Sequence, residues 1–418
     1  MKYIPRIADN LLKRKLSSSP AVLIRGAKWC GKSTTAMQEA KSCVFMQDPE
    51  KAEQYESLAR TAPSKFLQGA APRLIDEWQT IPFIYDAIRF EADRRGEFGN
   101  FILTGSATPE GKSQIKHSGT GRIATLTMRP MTLSESLDSD ATYSIRKLFD
   151  GEYPEGGFAG KTIEDYAYLL CRGGFPLSVG KTRETGLDIP RNYYNSIVEN
   201  ELVHDYDKEK MRLVMRSYAR YSAAEPSIAM IEEDVAKGSG LKVSDNSIIS
   251  YLNALRSIFV IEDLPAWNPN LRSTTAIRTT PTRHFADPSI AAASLGIGPD
   301  DLFNDMRTFG LLFETMAVRD LRTYAEANDG SLYHYRDKNG LEADAVIHLK
   351  NGKWAAFEVK LGNPSAIEKG AANLLKLASL IDESAMKGPS FLAVITATEV
   401  AYRREDGVFV LPLGCLSA

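Results

Sequence analysis

The string Gly26-Ala27-Lys28-Trp29-Cys30-Gly31-Lys32-Ser33 satisfies the spacing G-x-x-x-x-G-K-[ST] in full. The chemistry of that spacing is phosphate binding. Glycines let backbone N–H groups close round a phosphate, and a helix opening at the end of the loop adds a partial positive charge. Residues Gly26 through Ser33, with Thr34, are therefore predicted to line the phosphates of ATP. Lys32 reaches the β- and γ-phosphates, and the Ser33 hydroxyl serves as a ligand of Mg2+. A second string, Arg73-Leu74-Ile75-Asp76-Glu77, ends an apolar run in two acids. Many strands end in a solvated acidic turn, but below a phosphate loop this pattern has a second use. Asp76 is predicted to hold Mg2+ through its water shell, and Glu77 to orient and activate the attacking water. Thr104, with Ser106 as second choice, ends the run NFILTGS and is predicted to contact the γ-phosphate or that water. Arg122 precedes a later β-rich run. It is expected either to act as an arginine finger toward a neighbouring copy, in a homo-oligomer, or to form an ordinary ion pair.

A separate constellation lies near the C-terminus. In Ala356-Phe357-Glu358-Val359-Lys360, Glu358 and Lys360 are two apart on a strand and share one face. Asp344 enters an earlier apolar strand, and Glu314 sits on a helix with an apolar stripe. Together the four resemble the PD-(D/E)xK nuclease pattern. The resemblance implies Mg2+ held by Asp344, Glu358 and the Phe357 carbonyl, with Lys360 orienting a water or stabilising developing charge. A solvated ion pair on an edge strand is the plainer alternative. Between residues 264 and 286 there are Arg272, Arg278 and Arg283 but no Asp or Glu, which suits a basic wing on DNA phosphates. The helix before it offers only Asn246, Asn253 and Arg256 for base reading, so a structural spacer is the competing use.

These groups need elements to hold them. In the first third of the chain, β-rich runs at 21–25, 43–46, 73–75, 100–104 and 123–128 alternate with helical stretches at 33–41 and 84–94. Alternation of this kind predicts a parallel sheet covered on both faces. A mainly helical region with Gly/Pro punctuation follows, then a helix at 244–256 with apolar Ile248, Ile249, Leu252 and Leu255. Helix, turn, helix and a β excursion at 259–262 suggest a winged helix. Beyond residue 287 a helix at 309–325 leads to strands at 332–335, 343–349 and 354–359, a helix at 365–381 and a strand at 391–396. Four domains are expected: a P-loop ATPase core at 1–135, a helical lid at 136–208, a winged-helix-like domain at 209–288 and a nuclease-like α/β domain at 289–418.

The bulk composition narrows the partners. A formal net charge of −2 over 418 residues gives no global field toward nucleic acid or membrane, so any DNA surface must be a local patch. The four cysteines and five histidines have no zinc spacing, and scattered cysteines fit a cytoplasmic, reducing compartment. No run of apolar residues is long enough to span a membrane, so no membrane partner is expected.

The phosphate loop, Asp76-Glu77 followed by Trp78-Gln79, the LTGS strand, and Ser118-Gly119-Thr120-Gly121-Arg122 before a strand ending at Pro130 resemble AAA-type P-loop ATPases of prokaryotes. More narrowly, they resemble bacterial and archaeal ATPases with a C-terminal restriction-endonuclease-like domain of unknown function. Gly173-Gly174-Phe175-Pro176, the 194–205 segment and Phe285-Ala286-Asp287-Pro288 continue the similarity. One departure is Lys28-Trp29-Cys30, where that family often has an arginine-containing variant. The resemblance implies a five-stranded core, a helical lid and ATPase activity. Mg2+-dependent ATP hydrolysis driving a conformational change that acts on DNA is the expected function. The alternatives are an ATP-regulated DNA nuclease of defence or mobile-element type, and a non-hydrolysing nucleotide switch that docks a protein partner.

Overall fold

In the first β-rich run, Val22 and Ile24 face one side of a sheet and Ala21 the other, as a period of two requires. The same split separates Leu74 from Ile75, and Ile102 from Phe101 and Leu103. A sheet that is apolar on both faces must be covered on both, and helices do this. Leu11, Leu12, Leu16 and Ala36 close one side, while Phe66, Ile84 and Ile88 close the other. The structure is a computed structural model that describes residues 3–107, 121–201, 206–240, 243–269, 279–382 and 384–418. Contacts divide the chain into two units, Met1–Pro130 with Ser257–Phe259, and Met131–Arg256 with Val260–Ala418. The N-terminal stretch of the first unit runs to Pro130.

The first unit is built on five parallel strands: β1 (Ala21–Arg25), β2 (Ser42–Phe45), β3 (Arg73–Asp76), β4 (Phe101–Gly105) and β5 (Ile123–Thr127). Their order is β2-β3-β4-β1-β5. Every expected run is present within a residue or two. The order matters for chemistry, because β4 lies between the loop strand β1 and the acidic strand β3. Ile24 aligns with Thr104, and Thr104 with Asp76, so Thr104 stands between the two motifs at the sheet's C-terminal edge.

In the second unit β6 (Tyr143–Ser144) pairs with β14 (Leu416–Ser417), and β7 (Gly157–Phe158) begins a seven-stranded sheet in the order β7-β12-β13-β11-β10-β9-β8. The other members are β8 (Gly330–Arg336), β9 (Glu342–Leu349), β10 (Trp354–Lys360), β11 (Phe391–Thr396), β12 (Val400–Arg403) and β13 (Phe409–Pro412). The stretch assigned to the start of a helical lid therefore contributes two short strands to C-terminal pairings. Each is two residues long, too short to carry a period-two pattern, and β7 covers the edge of β12. Helices do follow as expected, at Ile163–Arg172, Arg183–Ser196, Lys208–Arg220, Ile228–Ser239 and Asp245–Ser257. The strand expected at 259–262 is instead a pair of isolated antiparallel bridges, Ile261 with Phe285 and Leu264 with Thr282.

The Gly173-Gly174 and Asp287 motifs meet at a buried ionic cluster. Asp287 accepts from the Gly174 N–H at 2.9 Å and from Arg319 Nη1 at 2.8 Å. Arg319 also pairs with Asp320 at 2.8 Å, and Asp320 accepts from the Leu133 N–H at 2.8 Å. All three charged side chains are buried, so each depends on the others for solvation.

Candidate active site

The phosphate loop is shaped by two glycines that no other residue could replace without strain. A Cβ on Gly26 would stand 1.9 Å from the Met128 carbonyl oxygen. Gly31, at φ +100°, turns the chain into the helix Lys32–Glu39. Trp29 also has positive φ and is exposed, whereas Cys30 is buried beneath the loop with Sγ 3.4 Å from Met128 O. Lys32 is buried, and its Nζ donates to Ala27 O at 2.8 Å across the loop.

Asp76 lies directly opposite. Its Oδ1 accepts from Ser33 Oγ at 2.6 Å and from Thr104 Oγ1 at 2.5 Å. A hydroxyl and a carboxylate so close form a hard-oxygen pair that fits Mg2+ completed by phosphate oxygens and water. Glu77 follows in the left-handed region, at φ +54°, with its N–H on Thr104 Oγ1 at 3.3 Å. Its Oε2 accepts from Ser106 Oγ at 3.2 Å and from Gln79 Nε2. Thr104 thus bonds Asp76 and the Glu77 N–H, and Ser106 bonds the Glu77 carboxylate. Gln79, which the sequence offers only through the family resemblance, holds the Glu77 carboxylate through its amide. The signal was its place two residues after the acid, in a short 3-10 turn that brings its amide back to Glu77. Arg122 Nε lies 2.8 Å from Asp93 Oδ1 with both side chains exposed, an intrachain ion pair of small energetic weight. Ser118, Gly119 and Thr120 lie outside the described residues.

The C-terminal residues also converge. The antiparallel pairing of Phe357 with Ala345 puts Glu358 opposite Asp344. Lys360 Nζ stands between them, 3.0 Å from Asp344 Oδ2 and 2.5 Å from Glu358 Oε2. Asn373, on the helix Pro364–Leu380, donates to Glu358 Oε1 at 3.0 Å. The Glu314 carboxyl is pushed well above the usual range by burial and then by the charge of Asp344. Among the described residues, no three His, Cys, Asp or Glu side chains gather closely enough to hold one metal ion.

Glu358 is pushed up to about 8 by burial first and by Asp344 second. A carboxyl whose folded pKa lies above its unfolded value adds stability that is complete below about pH 4.5 and lost as the pH rises through about 8. Relative to Glu358→Gln, whose amide does not titrate, the wild type is expected to lose stability on the order of a few kcal/mol across that window. Melting temperatures of both proteins at several pH values check this. A difference that stays constant from acid to alkaline buffer overturns it.

The expected DNA contacts fare differently. Arg283 is buried, and its Nη1 donates to Asp263 Oδ2 at 2.9 Å, so it does not present a free guanidinium on a wing. Asp263 also takes Arg256 Nη2 at 2.6 Å and the Tyr218 hydroxyl at 2.6 Å. Arg272 and Arg278 lie outside the described residues. No described helix is long and apolar enough to cross a membrane.

Residues 18–137 match the family model described as an AAA domain. Residues 163–301 and 309–416 match two domains of unknown function, DUF8612 and DUF4143. Uncharacterized proteins of Mycobacterium tuberculosis and Mycobacterium bovis are each 24% identical over 415 residues, covering 97% of this chain and 83% of theirs. Among solved structures, the Walker-type ATPase PABY2304 of Pyrococcus abyssi aligns at a TM-score of 0.44 and 15% identity, over 70% of this chain and 96% of that one. The AAA-domain match thus falls on the residues that carry the loop, the acidic pair and the five-stranded parallel sheet.

Proposed function

We propose that the chain binds ATP with Mg2+ at the Gly26–Ser33 loop and hydrolyses it, using Glu77 to prepare the attacking water. The observation that carries this reading is the 2.6 Å contact between Ser33 Oγ and Asp76 Oδ1, with Glu77 beside it on β3's exit. The loop amides and the helix start bind phosphate oxygens, and the Lys32 ammonium leaves Ala27 O to neutralise the β- and γ-phosphates. Ser33 and Asp76 supply the protein oxygens for Mg2+, which when bound offsets phosphate charge. Thr104 fixes Asp76, while Ser106 and Gln79 fix Glu77 so that its carboxylate can take the proton of water. Steady-state phosphate release by the purified chain in magnesium buffer tests the reading. Tight ATP binding with no release above the buffer rate favours instead a nucleotide switch read by a protein partner.

The rest of the molecule belongs to the same proposal. A lid at 136–208, a winged-helix-like region at 209–288 and a nuclease-like region at 289–418 would transmit the nucleotide state, with DNA as the object. Three helices before the bridges at 261–285 and 264–282 support the second of these. A homo-oligomer through Arg122 draws on the exposure of that residue and the weakness of its pair with Asp93. A cytoplasmic setting draws on four free cysteines.

A second reading, an ATP-regulated DNA nuclease, is favoured by one observation: Lys360 bridges Asp344 and Glu358. The order of elements around it is a helix, the antiparallel strands β8, β9 and β10, a second helix, and β11 parallel to β10, which suits this chemistry. On this reading, supercoiled plasmid is nicked in Mg2+ or Mn2+, and Asp344→Ala abolishes the nicking. Plasmid left intact by the wild type in both metals rules it out.

A further inference from the structure

Arg6 lies outside both strings that define the site, yet its guanidinium is buried and forks onto two backbone carbonyls. Nη1 donates to Cys30 O at 2.8 Å and Nη2 to Arg129 O at 2.9 Å. The first carbonyl belongs to the peptide that joins Cys30 to Gly31, inside the phosphate loop. In a trans peptide the C=O and the following N–H point in opposite directions. Pinning Cys30 O on the Arg6 side therefore aims the Gly31 N–H to the opposite side. The second carbonyl follows Met128, whose own carbonyl backs the loop against Gly26 and Cys30 Sγ. One planar group thus ties the loop to the chain segment behind it.

The neighbours of Arg6 fix it in turn. Asp9 Oδ2 accepts from the Arg6 N–H at 2.8 Å, and Asp9 Oδ1 accepts from the Tyr3 hydroxyl at 2.5 Å. Tyr3 also bonds Thr35 Oγ1 at 3.0 Å, on the helix that the loop opens into. The segment from Tyr3 to Asp9 therefore touches the loop, the strand exit behind it and the helix in front.

We infer that Arg6 is a positioning residue that holds the phosphate loop in its anion-binding form, an inference that rests on the ATPase reading above. Its contribution is to nucleotide affinity, because it never touches the reacting atoms. The full-length chain, Arg6→Ala and Arg6→Lys are compared for binding of a fluorescent ATP analogue in magnesium buffer and for phosphate release. Arg6→Ala is expected to bind about tenfold or more weakly, as for the loss of two charge-assisted hydrogen bonds. Its kcat at saturating ATP is expected to stay within about threefold of wild type, because uniform binding is what is lost. Arg6→Lys keeps the charge without the fork and regains part of the affinity. Added millimolar guanidinium restores binding to Arg6→Ala and leaves the wild type unchanged, which a merely structural lesion does not permit. If Arg6→Ala fails to fold, Arg6→Lys decides: weakened binding supports the inference, and wild-type affinity overturns it. Affinities within about twofold of wild type in both variants, or a loss that guanidinium does not repair, overturn it as well. A wild-type chain that binds no nucleotide overturns the ATPase reading, and this inference with it. Wild-type binding beside unchanged variants overturns this inference alone.

Discussion

Lys32→Ala is expected to abolish ATP turnover and to weaken ATP binding by roughly a hundredfold or more, the scale of losing a buried cation from a phosphate site. The argument starts from burial. Lys32 is 5% exposed, and its ammonium donates to Ala27 O within the loop. Removing it deletes one neutral-acceptor hydrogen bond from the resting fold, about 1 kcal/mol, so the domain stays folded. With ATP present the same deletion leaves the β- and γ-phosphates without a positive group held at close range. The loop amides still bind, but they carry only partial charge. Calorimetric titration with ATP, phosphate release and a far-ultraviolet dichroism spectrum together check the outcome. Native-like dichroism with lost binding supports the site. Turnover at the wild-type rate in this variant removes the loop from the reaction altogether.

The first unit was legible because its signals are local and redundant. A loop with fixed spacing, an apolar run ending in two acids, and β-rich runs alternating with helices each point to one architecture, and the parallel sheet agrees with all of them. The strand order itself did not follow from the strings. That β4 stands between β1 and β3 is a matter of long-range pairing, and it is what turns Thr104 toward Asp76. Gln79 and Arg6 were opaque for a related reason. Their importance lies in which polar atom each reaches, Glu77 Oε2 in one case and Cys30 O in the other.

In the second unit the long elements were legible and the short ones were not. The helix Met306–Ala327 and the strands β8 to β11 carry enough residues for a periodic pattern. The two-residue strands β6 and β7 carry none. Arg283 shows how a linear window misleads. The window opened at Leu264, one residue past Asp263, and that acid accepts from both Arg256 and Arg283. For Arg283, charge counted along the window has no acidic counterpart, whereas in space it is paired with Asp263. The Asp344, Glu358 and Lys360 cluster is the opposite case. Asp344, Glu358 and Lys360 meet because β9 and β10 pair antiparallel, and the two-residue spacing of Glu358 and Lys360 fixes their common face.

Glu77→Gln is expected to separate binding from hydrolysis. The amide keeps the length of the side chain, and its oxygen can still accept from Gln79 Nε2 and Ser106 Oγ, so the geometry of the β3 exit survives. The loop, Lys32, Ser33 and Asp76 are untouched, and affinity for ATP in magnesium should stay close to wild type. What the amide lacks is basicity. It cannot take the proton of the attacking water, and loss of a general base lowers a rate by about 100- to 10,000-fold. Single-turnover phosphate release measures that loss, and titration with the same nucleotide measures the retained binding. A rate within about fivefold of wild type means that Glu77 does not accept the proton in the rate-limiting step. An equal fall in affinity means that its carboxylate was instead holding the nucleotide. Ser106→Ala refines the result. It removes one of the two donors on Glu77 Oε2 and leaves the charge, so a smaller fall in rate at unchanged affinity assigns Ser106 to orienting the base.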